Sequence, residues 1–248
     1  MYIVPQWARS LAIRVVGAEC TTELLDKANY QHLPCVKLAV SKCLSLGIIT
    51  GAMVVKVPQI VKIILSRSTQ GLSGLSYLLE TLAASITFGY NLRARNPFST
   101  YGETLFMVLQ NLVIMALLGL YRRQMMRTVL LLSIYSVFMS SLLIPAYFTD
   151  ATVRSLQALT IPLNMLSRLP QILIIWRHRG TGQLSALTVF LVWAGSMARV
   201  YTSFQETAKD RLLLLSFGLA ALLNSVILVQ LLYYWRESAE PKKKTKTA

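Results

Sequence analysis

Two short runs constrain this chain more than any other feature. Lys56-Val57-Pro58-Gln59-Ile60 recurs as Arg168-Leu169-Pro170-Gln171-Ile172, and a shift of 112 residues superposes the two without a gap. The match continues downstream, where Gly71-Leu72-Ser73-Gly74-Leu75-Ser76 falls on Gln183-Leu184-Ser185-Ala186-Leu187-Thr188. A period this long describes two similar multi-helix halves rather than a solenoid of short repeats. Each motif lies inside an apolar stretch. A proline there removes a backbone donor and frees a carbonyl, which a membrane tolerates only where protein or a cavity re-satisfies it.

Composition sets the solvent. The chain of 248 residues is 54% hydrophobic and 14% charged, against about 25% charged in soluble domains. It reads as an all-α polytopic membrane protein. The formal net charge of +15 would suggest nucleic acid in a soluble protein. Here most of the basic residues fall in short loops and the tail, so no nucleic-acid partner is expected. Cys20, Cys35 and Cys43 show no metal-ligand spacing and no even-numbered disulfide framework, and a Cys35–Cys43 link is left open. His32 and His178 are far apart. No metal, no cofactor and no catalytic residues are expected, because phosphate loops, His/Cys clusters and nucleophile elbows are all missing from the sequence.

Residues 1–37 read as an amphipathic surface segment rather than a cleaved signal peptide. Seven apolar segments follow at about 39–64, 73–92, 102–121, 128–148, 153–176, 184–204 and 212–235, each near the ~20 residues that span hydrocarbon. Residues 38–121 and 151–236 form two three-helix repeats, and residues 122–150 carry a linking helix. An odd linker keeps the repeats parallel, and the prolines of both are expected to face the pseudo-twofold axis. Arg67, Arg122, Arg123, Arg127, Arg177, Arg179 and the basic tail 237–248 lie on one side of the membrane. Arg93, Arg95, Arg154, Lys209 and Arg211 lie on the other. The richer side is expected to be cytosolic, which places the C-terminus in the cytosol and the N-terminus in a lumen.

Ionisable groups at membrane depth are costly and are functional candidates. Lys56 and Arg168 stand two residues before each Pro-Gln, with snorkelling to the interface as the competing reading. Glu80 lies in the second segment and Arg199 in the sixth, and an ion pair between them is one possibility. Glu103 reads as an acid at a helix N-terminus. Asn111 and Asn224 sit at near-equivalent positions, which points to a shared central site. Gln110 and Asn164 are weaker candidates. The substrate-binding set expected from the sequence is therefore Lys56, Pro58, Gln59, Arg168, Pro170, Gln171, Asn111, Asn224, Glu80 and Arg199.

The paired Pro-Gln motifs in a seven-span chain resemble the PQ-loop family, whose relatives include lysosomal amino-acid transporters, SWEET sugar transporters and the KDEL receptor. Five further runs resemble its mannose-P-dolichol utilization defect branch: His32-Leu33-Pro34-Cys35-Val36-Lys37, Val55 to Gln59, Gly180 to Ala186, Ala198-Arg199-Val200 and Gln205-Glu206-Thr207. That resemblance, spanning about residues 30–235, implies a non-enzymatic protein of the endoplasmic-reticulum membrane. Its partners would be dolichol-phosphate mannose, dolichol-phosphate glucose and the luminal mannosyl- and glucosyltransferases. It would serve N-glycan precursor, glycosylphosphatidylinositol-anchor and protein mannosylation pathways by flipping or presenting the lipid. Lys244 and Lys246 in the tail resemble a dilysine retrieval signal, and a generic polybasic tail at anionic lipid is the competing reading. Transport of a small soluble sugar or amino acid, and retrieval of luminal proteins as in the KDEL receptor, remain as alternatives.

Overall fold

The computed structural model describes residues 5–69, 72–178 and 186–239, which are helical throughout, with short connections. The elements are α1 (Gln6–Val16), α2 (Ala18–Thr21) running into a π-helical turn (Thr22–Asp26), α3 (Leu33–Val54), α4 (Val57–Ser66) and α5 (Gly74–Arg93). They continue as α6 (Phe98–Tyr121), α7 (Met125–Leu143), α8 (Asp150–His178), α9 (Ala186–Glu206) and α10 (Arg211–Ala239). The tail lysines Lys244 and Lys246, and residues 179–185 of the second motif, lie outside the described residues.

The expected seven spans correspond to α3 with α4, then α5 to α10. Five of them are long and apolar enough to cross a membrane: Leu33–Ser66, Phe98–Tyr121, Met125–Leu143, Asp150–Arg177 and Arg211–Tyr234. The other two, α5 and α9, occupy equivalent places in the two repeats. They can be more polar because their polar residues turn inward: Thr81, Ser85 and Asn91 on α5, and Arg199, Thr202 and Ser203 on α9, are all buried. Lipid-facing composition is demanded only of the surface that meets lipid.

Packing follows the repeat. In the first half α3 and α5 both pack on α6, and in the second α8 and α9 both pack on α10. The halves meet through two symmetry-related contacts, α3 on α9 and α5 on α8. The linking helix α7 packs on α5 and α6. Glycine permits that approach: a Cβ at Gly119 would lie 2.6 Å from the Thr128 Cβ. Tyr135 of α7 and Ser85 of α5 close the contact through a buried hydroxyl pair at 2.7 Å.

The first Pro-Gln breaks its helix and the second does not. Residues 55 and 56 form a turn between α3 and α4, whereas α8 runs unbroken through Pro170. Pro58 is exposed, and among the described residues the cavity beside it is lined from α4 and the following loop, by Gln59, Lys62, Ile63, Ser66, Ser68 and Leu72. The surroundings of Pro170 lie outside the described residues.

At the N-terminus, α1 carries exposed Trp7 and Leu11 one turn apart, with Arg9 and Arg14 beside them, as an interfacial helix requires. Its connection to the bundle corrects the cysteine reading. Cys20 is bonded to Cys35, with Cα atoms 5.1 Å apart, and Cys43 is free. The π-helical turn after α2 and the tight turns over residues 27–32, with Ala28 at φ 49°, bring residue 20 back over the start of α3, which no spacing rule anticipates. Arg9 adds an ion pair to Asp26 at 2.7 Å. We expect that denaturation without reductant leaves one maleimide-reactive thiol, at Cys43, and that reduction raises the count to three by intact-mass spectrometry. Three thiols before reduction would exclude the Cys20–Cys35 bond.

Candidate functional site

Lys56 occupies the turn that the first proline creates. Its Nζ donates to both Glu80 carboxylate oxygens, at 2.6 and 2.7 Å, and to Asn111 Oδ1 at 2.6 Å. It also lies 5.2 Å from the Tyr77 ring centroid. Two helices thus converge on one ammonium: α5 supplies Glu80 and Tyr77, and α6 supplies Asn111. The Gln59 side chain meets the Tyr77 hydroxyl, which ties the Pro-Gln glutamine to the same cluster. Asn111 is fully buried, and its Nδ2 has no hydrogen-bond partner among the described residues.

Gln110 repairs the broken backbone. Its Nε2 donates to the carbonyls of Ala52 and Met53, at 2.7 and 2.9 Å, and its Oε1 accepts from Lys56 N at 3.0 Å. Those are the carbonyls whose helical partners would be the amides of Lys56 and Val57. One side-chain amide therefore replaces the hydrogen bonds lost at the break. The second half uses a glutamine of its third helix too, but at another level. Gln230 Nε2 donates to Ile172 O at 3.2 Å, and residue 230 corresponds in the repeat to Leu118, not to Gln110.

Arg168 is placed differently from Lys56. The acid that neutralises Lys56 has no counterpart, since Glu80 corresponds to Val192. Arg168 is half-buried and lines a cavity of about 280 Å³ between α5, α8 and α10. Thr87, Gln157, Thr160, Asn164 and Ser216 supply polar lining, and Phe217 and Leu223 supply apolar wall. Gln157 is 2% exposed, and its Oε1 is unpartnered. Among the described residues no carboxylate pairs with Arg168. Gln171 is half-buried beside it in sequence.

A second polar cluster lies at the end of the bundle where α10 begins. Glu206 of α9 accepts from Ser41 at 2.9 Å, from Lys42 at 2.7 Å and from Ser99. Lys42 also donates to Ser99 Oγ at 2.8 Å. One turn away, Arg199 pairs with Glu103 and donates to Ser99 O at 3.1 Å. These bonds hold α3, α6 and α9 together across the two halves.

Several expectations change here. Glu80 and Arg199 do not pair with each other; each has a nearer partner, Lys56 and Glu103 respectively. Glu103 is not at a helix start, because α6 begins at Phe98, directly after Pro97, which leaves Glu103 more than a turn inside. Asn111 and Asn224 do not share a site. Asn224 is buried on α10 but is neither a partner of Lys56 nor part of the Arg168 cavity lining. Sequence reading missed Lys42, Ser99 and Glu206. A lysine inside the first apolar run was a visible signal for Lys42. Its acid lies 164 residues away, and only packing joins them.

Breaking the Lys56–Glu80 pair should leave a poorly solvated charge. Glu80→Gln should cost about 1–3 kcal/mol, below the range for a fully buried pair because Glu80 is partly exposed. Adding Lys56→Gln should recover part of that loss, read from melting of the purified variants as a double-mutant cycle. Strict additivity would mean that the pair does not couple in the fold.

The comparisons with known proteins agree with this architecture. The family model for the PQ loop repeat matches residues 40–100 and 153–211, the opening parts of both repeats. Among solved structures, a eukaryotic SWEET transporter superposes with a TM-score of 0.63 at 16% sequence identity, covering 82% of this chain and 98% of that one. At that identity the likeness is one of fold. The chain is a multi-pass membrane protein with the helix arrangement of that transporter, and a segment of each half matches the PQ loop repeat.

Proposed function

We propose that this protein is a non-enzymatic factor of the endoplasmic-reticulum membrane that handles dolichol-phosphate mannose and dolichol-phosphate glucose, flipping or presenting the lipid to luminal transferases. The observation that carries this reading is Arg168, a cation within a membrane helix that lines a polar cavity and has no acid partner among the described residues. A phosphate beneath the headgroup layer needs a cation and hydrogen-bond donors in place of its water. Arg168 offers a bidentate fork, with Asn164, Thr160 and Ser216 nearby for sugar hydroxyls. Lys56 contributes differently, since its charge is spent on Glu80 and it holds the broken helix in place. The resemblance of residues 30–235 to the mannose-P-dolichol utilization defect proteins supports the choice of lipid. The Cys20–Cys35 bond supports a luminal N-terminus, because disulfides persist in oxidising compartments. Lys244 and Lys246 would then lie on a cytosolic tail, as retrieval requires.

The SWEET-like fold favours a second reading, transport of a small soluble sugar by rocking of the two halves. Uptake of free sugar into proteoliposomes that contain no lipid donor would establish it in place of the first.

Cells lacking the chain should accumulate lipid donor and make truncated lipid-linked oligosaccharides. Restored with Arg168→Gln, they should stay truncated at normal protein level. Arg168→Lys should fall between that variant and the unaltered chain, because it keeps charge without the fork. Lys56→Gln should instead lower the amount of folded protein, and Lys56→Gln with Glu80→Gln should regain it. Full-length oligosaccharide from Arg168→Gln at normal protein level would remove Arg168 from the site.

A further inference from the structure

The end of the bundle where α10 begins holds an open bowl of about 950 Å³, and we propose that it binds the phosphate group of a phosphate ester. The bowl straddles the two halves: the α5–α6 connection forms one wall, and the start of α8 with the α9–α10 connection forms the other. Four exposed cations line it, Arg95, Arg154, Lys209 and Arg211. Two acids share the lining, and each has hydrogen-bond donors of its own. Glu206 is turned to Ser41, Lys42 and Ser99. Asp210 accepts from the Tyr90 hydroxyl at 2.8 Å and from Leu213 N at 3.2 Å, which caps α10. No side-chain hydrogen bond or ion pair joins any of the four cations to a described residue, and Arg154 lies within electrostatic reach of Tyr90. The bowl is therefore a concave surface with an excess of positive charge, four cations against the one carboxylate of Asp210 that no cation pairs among the described residues.

Local physics does not account for these residues. Arg211 stands at the first position of α10, where the helix dipole disfavours a cation, and Arg154 lies just past the first turn of α8. Membrane insertion does not need them either, because orientation is set by the side richer in Lys and Arg, and these lie on the poorer side. A ligand anion gives all four one purpose. Arginines from both halves would close on it together, so binding would also favour the arrangement in which α5 and α8 remain packed. The site is distinct from the Arg168 cavity, and this inference stands whether or not that cavity takes a lipid phosphate.

The full chain in phosphatidylcholine nanodiscs should bind mannose 1-phosphate and not mannose in a titration by microscale thermophoresis. Arg154→Gln with Arg211→Gln should weaken binding at least about tenfold, the scale of one lost charge-assisted hydrogen bond. Arg123→Gln with Arg127→Gln, at the other end of the bundle, should leave it unchanged. Lys209→Gln, in a loop, provides the same comparison if the double variant folds poorly. If the site takes lipid phosphate instead, phosphatidic acid in the nanodisc should raise the melting temperature of the unaltered chain and not of the Arg154/Arg211 variant, with no binding of the soluble ester. Equal affinity in all variants, an equal loss in the Arg123/Arg127 control, or no response to either probe would overturn the proposal.

Discussion

The structure depends on one constraint: a broken helix inside hydrocarbon must find partners for its loosened backbone groups. At the first Pro-Gln those partners come from a single residue, Gln110, which takes two carbonyls and supplies one acceptor. Its neighbour Asn111 takes the Lys56 ammonium in the same turn of α6. Adjacent residues of one helix thus satisfy the backbone and the side chain of another. Unsatisfied groups of this kind cost on the order of 1–3 kcal/mol each, so the break between α3 and α4 and the polar pair on α6 depend on each other.

A second set of buried polar contacts organises the halves. Glu206 and Arg199 of α9 reach Ser41 and Lys42 on α3 and Ser99 and Glu103 on α6. In a bundle whose outer surface meets lipid, apolar burial alone does not select one helix pairing over another, and directional polar contacts fix the register. This network lies at the end where α10 begins. The Lys56 cluster lies nearer the other end and stays within the first half. One end of the molecule is therefore tied across the repeat boundary by charge, and the other holds its charge inside one repeat.

The repeats share architecture but not chemistry. The first spends its cation on an acid and its glutamine on a broken helix. The second keeps an unbroken helix and leaves its arginine beside a polar cavity. Duplication supplies two copies of a scaffold, and divergence at Glu80 and Val192 decides which copy holds an available charge.

The sequence by itself determined the membrane environment, the two parallel three-helix repeats and the two cationic motifs, because apolar run lengths and an ungapped internal match are local properties of the chain. It also singled out Lys56, Arg168, Glu80 and Arg199 as costly residues at depth. Their partners were decided only by the tertiary structure. Lys56 meets Glu80, Arg199 meets Glu103, and Lys42 meets Glu206, across separations of 24 to 164 residues. Helical periodicity fixes which face of a helix a residue occupies, but the partner depends on how helices cross and at what depth. The Cys20–Cys35 bond follows the same rule, since a π-helical turn and the tight turns after it set the return path of the chain.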